Sequence, residues 1–427
     1  MASQAKKADA SKSKVSLAQR IGPGIITGAA DDDPSGIATY SQAGAQTGFG
    51  LLWTIVITWP MMVAVQSISA RIGRVTGKGL ATNMLAVFPR WVVQGLVLLL
   101  FIANTINIGA DVSAMGAAAG MLVGGGRHGF TVVFALASLA AVVFIPYHRY
   151  VGVLKWLTFS LFAYVGIVFT VHIDWLQVAK GAVLPKFDMS GDTLTLIVAI
   201  FGTTISPYLF FWQTAQEVEE EEADDDAGPL IEKPEQASRE LNRIGWETWL
   251  GMGASNLVAF FIMLTTAITL HANGHTDIQS TEQAAAALKP IAGQAAFFLF
   301  SLGIIGTGLL AVPVLAGASA YAAGEVFGWT TGLERSWREA RGFYGVICAG
   351  IVLGIAVDLS PLDPIKALFW SAVVNGVIVV PVMIALMIVG SNAKQMGDFV
   401  ATVGQRVFGW GATAMMAVAA VAMFVLM

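Results

Sequence analysis

Long apolar segments separated by short polar breaks recur along almost the whole chain. Runs such as 91–103 and 251–270 reach bilayer length, since a helix needs about 20 apolar residues to cross the hydrocarbon core. Apolar residues are 56% of the sequence and charged residues 12%, against roughly 25% charged residues in a typical soluble domain. No single soluble core absorbs this much apolar sequence, so the pattern predicts an all-α polytopic membrane protein.

The apolar stretches give eleven predicted transmembrane helices. They are expected at 21–47, 51–70, 92–122, 128–147, 151–172, 193–216, 246–270, 286–324, 343–358, 365–390 and 404–426. The third and the eighth exceed the bilayer thickness and should tilt or extend beyond it. Residues 1–20 form a polar, lysine-bearing tail ahead of the first span.

The basic residues predict the orientation of the spans. If the N-terminus lies inside, the cytoplasmic segments contain 19 of the 24 lysines and arginines. Cytoplasmic loops of membrane proteins carry this excess of positive charge. We therefore expect an inner (plasma) membrane protein with residues 1–20 in the cytoplasm and, after eleven spans, the C-terminus outside.

The first span contains an unusual polar interruption, "ITGAADDDPSGIATYSQAG" (26–44). Proline lacks an N–H and disfavours helical geometry at the residue before it, so Asp33-Pro34 should break the helix. Gly36 permits irregular backbone before the helix resumes. Asp33 lies 12 residues into the span, about 18 Å along a helix, which places it near the middle of the bilayer.

The sixth span, which contains "FGTTISPYLFFWQ", has a matching defect at Pro207. Because five spans separate the start of the first span from the start of the sixth, an odd number, the two broken helices should cross the membrane in opposite directions. Such pairs mark the midplane site of transporters built from inverted repeats. We expect one repeat over 21–172, a second over 193–390 and an additional helix at 404–427.

The two breaks predict a cation site. Each first half-helix ends at the centre, where its last carbonyls lack helical partners and its dipole is negative, and Asp33 adds a formal charge. Irregular backbone is tolerated at that depth where it lines a cavity or is buried in protein, and an intramembrane aspartate is itself a functional indication. The alternative is that Pro34 and Pro207 only kink their helices.

These segments resemble the Nramp family of divalent-metal transporters. "GPGIITGAADDDPSG" is similar to the first-span motif of that family, and "LLWTIVITWPMMVAVQSISARIGRVTGKGL" (51–80) to its second span and the loop that follows. The resemblance covers about 21–390. It implies a secondary transporter that imports divalent metal ions by alternating access.

The departures from the family motifs bear on the ligands. Asp33 matches the motif aspartate, but Gly36 stands for its asparagine and Ser206 for its metal-binding methionine. The resemblance implies a site at Asp33, Gly36, Thr203 and Ser206, with a backbone carbonyl from Thr203. A thioether suits softer transition metals, whereas an all-oxygen site suits Mg²⁺. The sequence is most similar to the Nramp-related magnesium transporters, so we expect Mg²⁺, and also Mn²⁺, as substrate.

Proton coupling is not expected. Both histidines of the family's sixth-span motif are replaced, by Tyr208 and Gln213, and the carboxylate pair of its third span is reduced to Asp111 alone. Histidine is the side chain that titrates near neutral pH, whereas tyrosine has a pKa of roughly 10 and glutamine does not titrate. Asp111 remains as one residue that could relay a proton.

Other polar residues have more than one interpretation. Asp31 and Asp32 could line the access path or face another helix. Asn375, Asn104 and Asn107 could reach the site or hydrogen-bond between helices.

The acidic run "EVEEEEADDD" (217–226) falls in a predicted cytoplasmic loop, 217–245. Such a run is usually a solvated, flexible linker. It could also attract cations to the inner mouth or sense cytosolic Mg²⁺.

Competing functions remain open. They are a proton-coupled Mn²⁺ or Fe²⁺ transporter, a sodium-coupled amino-acid symporter and a membrane sensor that transports nothing. No phosphate-binding glycine loop and no nucleophile–base set is present, so we expect neither an ATP-driven pump nor an enzyme. The expected partners are a divalent ion and the lipid bilayer, with no cofactor and no nucleic acid.

Overall fold

The computed structural model describes residues 22–145, 159–170, 172–185, 190–359, 361 and 363–426. Within these ranges every regular element is helical. The α-helices are α1 (Pro23–Asp31), α2 (Pro34–Thr47), α3 (Leu52–Thr76), α4 (Leu80–Leu85), α5 (Arg90–Val123), α6 (Arg127–Phe144), α7 (Ile167–Thr170), α8 (Trp175–Val183), α9 (Gly191–Thr204), α10 (Pro207–Glu222), α11 (Ala237–Thr269), α12 (Thr281–Ala286), α13 (Lys289–Ala292), α14 (Ala296–Phe327), α15 (Arg341–Asp358), α16 (Pro364–Gly390), α17 (Ala393–Met396) and α18 (Val403–Leu426).

The helices confirm an all-α protein built for a membrane. Nine segments of the described residues are long and apolar enough to span a bilayer. The first predicted span is divided between α1 and α2, neither of which is that long. The fifth, at 151–172, lies partly outside the described residues, so the total of eleven stays a prediction.

Both predicted helix breaks are present. Helix α1 ends at Asp31, and α2 begins at Pro34 with Asp33 as its N-cap residue. Helix α9 ends at Thr204, and α10 begins at Pro207. In each case the proline occupies the first position of the new helix, where its missing N–H would have had no helical partner. The prolines thus begin new helices at the two breaks rather than merely kinking continuous ones.

Glycines allow both broken helices to pack closely against neighbouring helices. A Cβ atom on Gly28 of α1 would overlap the backbone of Gly251 in α11. A Cβ on Gly202 of α9 would overlap the backbone around Gly376 in α16. Small residues allow this approach where lipid offers no hydrophobic drive for helix association. The half-helices that end at the breaks are therefore held by backbone contact.

The acidic run does not form a flexible linker. Helix α10 continues through Glu222, and only the residues between α10 and α11 leave the α-helical path. The prediction of a solvated linker over 217–226 was wrong for residues 217–222, which are helical, because several of these carboxylates meet arginines on other helices. Glu217, for example, is buried and accepts a hydrogen bond from Arg243 of α11 at 2.6 Å.

The helices also differ in length from the apolar stretches that predicted them. Helix α3 runs to Thr76 rather than 70, and α11 begins at Ala237 rather than 246. These extensions carry the charged groups that pair with one another, which hydropathy alone does not detect. The predicted span 286–324 is shifted to Ala296–Phe327, with the short helices α12 and α13 before it.

Candidate functional site

Asp33 lies at the break between α1 and α2 and is 2% exposed. Its Oδ1 atom accepts hydrogen bonds from the Gly36 N–H at 2.7 Å and from the Ser35 hydroxyl at 2.8 Å. Its Oδ2 atom accepts one from the side-chain amide of Asn107 at 2.9 Å. The carboxylate therefore caps the start of α2 and has a fixed orientation.

A second residue fixes the amide that contacts Asp33. The Ser371 hydroxyl of α16 donates a hydrogen bond to Asn107 Oδ1 at 2.6 Å. With its oxygen engaged in this way, Asn107 of α5 presents its NH₂ group to the carboxylate. Three helices thus meet at Asp33: α2 through the cap, α5 through Asn107 and α16 through Ser371.

The end of α9 approaches the same point from the other side. Thr203 Oγ1 lies 3.4 Å from the Ser35 hydroxyl, and a Cβ atom on Gly36 would lie 3.2 Å from Thr203 Oγ1. The structure therefore brings together Asp33, Gly36 and Thr203, three of the four residues predicted to form the site.

Ser206, the fourth, is turned back toward its own half-helix. Its hydroxyl lies 2.9 Å from the carbonyl oxygens of both Gly202 and Thr203 and donates to them. These are among the last carbonyls of α9, which have no helical donor. The carbonyl predicted as a ligand, that of Thr203, already has this one hydrogen-bond donor and keeps a second lone pair.

Two tyrosines join the broken helices to each other. Tyr208 of α10 donates a hydrogen bond to the carbonyl of Ala30 in α1 at 3.1 Å. Tyr40 of α2 shares a 2.8 Å hydrogen bond with Thr204 at the end of α9. Tyr208, which stands in place of a motif histidine, therefore satisfies an end carbonyl of α1.

The other two aspartates of the first span face a different helix. Ser255 of α11 lies 2.7 Å from Asp31 Oδ2 and 3.0 Å from Asp32 Oδ1. Asp31 is 2% exposed and its Oδ1 atom has no partner among the described residues. The sequence left two interpretations open for these aspartates, a lining of the access path and a contact with another helix. Their described hydrogen bonds are those of a contact with another helix.

Two of the polar residues singled out in the sequence are buried without a hydrogen-bond partner in the described part of the chain. They are Asp111, with both carboxylate oxygens unpaired, and Asn375, with both amide atoms unpaired. Asp111 lies one helical turn beyond Asn107 on the same face of α5. The next residue on that face, Met115, packs beside Gly308 close to Pro34. Asp111 is therefore directed toward the first helix break.

Sequence reasoning missed several of the contributing side chains. Ser35, Ser371 and Ser255 were not singled out, and Asn107 was one of three ambiguous asparagines. Each is a polar residue inside an apolar helix, which is a usable signal. The sequence does not say which of many such residues point to one place.

One end of the helix bundle contains a cavity among its helices, whereas the opposite end contains a set of ion pairs. At the end predicted to face outside, a cavity of about 830 Å³ is lined by α2, α9, α16 and the segment around Asp277, with Gln42, Asp192 and Trp370 among its residues. At the opposite end, carboxylates of α10 pair with arginines of α3 and α11, as in Arg74–Glu221 at 3.0 Å.

The donors around Asp33 are all oxygen or amide groups. Within the described ranges, no three histidine, cysteine, aspartate or glutamate side chains converge to hold a metal ion. What the site offers is one carboxylate, two hydroxyls and the carbonyls at the ends of two half-helices. Such donors suit hard cations that retain some water.

Comparison with protein families gives one match over nearly the whole chain. The family model "Nramp: Natural resistance-associated macrophage protein-like" matches residues 24–426. Among curated relatives, the divalent metal cation transporter MntH of Klebsiella pneumoniae is 28% identical over 424 residues, with 94% of this chain and 92% of that protein covered.

Solved structures with the same fold include transporters. The manganese transporter of Eremococcus coleocola superposes with a TM-score of 0.74 at 18% identity and covers 93% of this chain and 84% of its own. Mhp1, a nucleobase-cation-symport-1 family transporter, superposes with a TM-score of 0.56 at 13% identity and covers 95% of this chain and 92% of its own. At these identities the likeness concerns the fold alone.

Proposed function

Because the chain belongs to the Nramp family, we propose that it carries divalent metal ions, Mn²⁺ and Mg²⁺, across the membrane through a site at Asp33. Members of this family are transporters and not enzymes. The ion is the cargo, not a resident cofactor. The observation that carries the proposal is the buried Asp33 carboxylate at the meeting point of two broken helices.

The proposed ligands are those predicted from the sequence. Asp33 supplies the charge, and the backbone around Gly36 and Thr203 supplies neutral oxygens. Ser206 contributes through its hydroxyl oxygen, which holds the carbonyls of Gly202 and Thr203 in place and keeps lone pairs for the ion or its water.

The chemistry of the site supports Mg²⁺ beside Mn²⁺. The names of the Klebsiella relative and of the Eremococcus structure refer to divalent metal and to manganese, which supports Mn²⁺ as one substrate. Mg²⁺ demands oxygen ligands and keeps several waters, and the absence of a thioether at position 206 removes the ligand that favours softer metals.

The difference between the two ends supports transport by alternating access. The cavity lies among α2, α9 and α16, the helices that carry Ser35, Thr203 and Ser371, and we propose that an ion enters from this side. The ion pairs among α3, α10 and α11 close the other side. For the ion to leave on that side, those ion pairs must separate while the cavity closes. The ends of the half-helices stay beside the ion during this change.

We also propose that protons do not accompany the metal. The residue that contacts Asp33 from α5 is an amide, Asn107, which cannot take up a proton. Tyr208 is engaged with Ala30 as a hydroxyl donor. The competing possibility, a proton relay through Asp111, gains support from the unpartnered carboxylate at that position.

Uptake into liposomes tests both proposals. Protein reconstituted with an internal metal-sensitive dye should admit Mn²⁺ and Mg²⁺ above the level of empty liposomes. At a clamped membrane potential, an internal pH dye should remain unchanged as the metal enters. No influx of either ion would refute the transport proposal. Acidification in fixed ratio to metal influx, lost in Asp111→Asn, would refute the absence of coupling and leave transport intact.

A further inference from the structure

Four aspartates surround the first helix break: Asp31, Asp32, Asp33 and Asp111. The electrostatic neighbours that act on Asp31, Asp32 and Asp111 are other members of this group. No lysine, arginine or histidine of the described residues is among the electrostatic neighbours given for Asp31, Asp32 and Asp111. Within the described residues these three carboxyl groups thus have no cationic side chain to pair with, and a bound cation is one way to satisfy them.

Asp31 and Asp32 share a single proton donor. The Ser255 hydroxyl lies 2.7 Å from Asp31 Oδ2 and 3.0 Å from Asp32 Oδ1, yet a hydroxyl has only one proton to donate. Three oxygen atoms, one from each side chain, are therefore gathered at this point between α1 and α11. Ser255 can turn its proton away and present a lone pair to the same point.

A buried oxygen at this place lacks any partner. Asp31 Oδ1 has no hydrogen-bond donor among the described residues, and the side chain is 2% exposed. Buried polar atoms are almost always satisfied by protein, water or an ion. The unpartnered atom belongs to a carboxylate, for which a metal ion is the strongest of these partners. Asp111, on the other side of the break, likewise has two unpartnered oxygens.

We propose that the protein binds a second divalent cation, held by Asp31, Asp32 and Ser255 between α1 and α11. This inference rests on the proposed function, since the ion is of the same chemical class as the cargo. The second site lies on the α11 side of the break, whereas Asp33 is directed toward α5 and α16.

Binding stoichiometry tests the second site. Purified full-length protein in nanodiscs is titrated with Mn²⁺ alone and, separately, with Na⁺ present in excess. We expect two Mn²⁺ per chain for the wild type, one for Asp31→Asn combined with Asp32→Asn, and one for Asp33→Asn. Ser255→Ala, a smaller change, should retain two ions and weaken one of them by about 10-fold or more.

The matched control is Asp226→Asn, which removes an exposed carboxylate remote from the break and should leave two ions bound. Size-exclusion profiles identify variants that fold. One Mn²⁺ per wild-type chain, lost only in Asp33→Asn, would overturn the second site and leave the proposed function standing. Two ions retained in the Asp31 and Asp32 variant would also overturn it. If one of the two Mn²⁺ ions is lost in excess Na⁺, the second site binds sodium and the proposal of a divalent ion there is wrong.

Discussion

The Asn107 amide and the Asp33 carboxylate form a 2.9 Å hydrogen bond that joins the middle of α5 to the first helix break. Asp33 thus has three donors, and the other two lie on its own helix, α2. An arriving ion meets a carboxylate that is already oriented and need not be ordered on binding. When an ion binds, the Asn107 amide either keeps its hydrogen bond to Asp33 Oδ2 or gives up that oxygen to the metal.

We expect Asn107→Ala to weaken Mn²⁺ uptake chiefly through a higher KM. Loss of the amide frees one side of the carboxylate, and removal of a residue that orients a metal ligand typically costs about 10–100-fold in affinity. Concentration-dependent uptake into liposomes measures the effect. Ser371→Ala should act in the same direction but less strongly, because Asn107 keeps its contact with Asp33. An unchanged KM in both variants would contradict an orienting role.

Asp33→Asn should abolish uptake of both ions while leaving the fold intact. Asparagine caps helix N-termini about as well as aspartate, so the start of α2 survives, but the charge at the proposed site is lost. We expect uptake to fall by at least about 100-fold, more than for a residue that only orients a ligand. The measurement is initial rate in liposomes, with thermal unfolding to verify folding. Substantial Mg²⁺ influx in this variant would place the site elsewhere.

Gly36→Asn combined with Ser206→Met should raise the preference for Mn²⁺ over Mg²⁺. The pair restores the residue types of the family motif and introduces a softer ligand. A side chain at position 36 must displace the Thr203 hydroxyl, since its Cβ would lie 3.2 Å from Thr203 Oγ1. Competition between the two ions during uptake gives the ratio. Gly36→Ala controls for the displacement alone, and an unchanged ratio in the double variant would exclude these positions from selectivity.

Arg243→Ala should destabilise the protein at the end closed by ion pairs. Arg243 contacts the fully buried Glu217 at 2.6 Å and also Glu220 and Glu247. Removing one partner of a buried pair costs about 3–5 kcal/mol. The melting temperature of the purified protein should therefore fall clearly.

Arg239→Ala is the matched control for that change. Arg239 lies on the same helix and its side chain is 73% exposed, and exposed pairs contribute about 0–1 kcal/mol. Equal melting temperatures for the two variants would mean that the Arg243 network contributes little to stability.

The sequence predicted the helix breaks because their cause is local. Proline at positions 34 and 207 disrupts helical hydrogen bonding regardless of tertiary context, and both breaks occur where expected. The Asn107–Asp33 and Ser371–Asn107 contacts join residues 74 and 264 positions apart. Nothing local to Asn107 or Ser371 specifies such partners, so they emerge only from the packing of three helices.

The structure of the acidic run was mispredicted because its partners lie far away in the sequence. A block of carboxylates is usually solvated, because burying charge without a partner is costly. Here the partners exist, but Arg74 lies 147 positions from Glu221. A local reading of charge therefore predicts a linker where the chain builds the end of a helix.

The contact between Gly28 and Gly251 bears on how α1 can move. At this point the backbones of α1 and α11 touch with no side chain interposed. Interdigitated side chains would have to change rotamer for one helix to slide along the other, and packed cores resist such small displacements by locking into discrete arrangements. The contact between Gly28 and Gly251 has no such interlocking side chains, and it brings α1 close enough for Asp31 to hydrogen-bond with Ser255 of α11. A larger residue at either glycine would push this half-helix away from α11, because its Cβ would overlap the facing backbone.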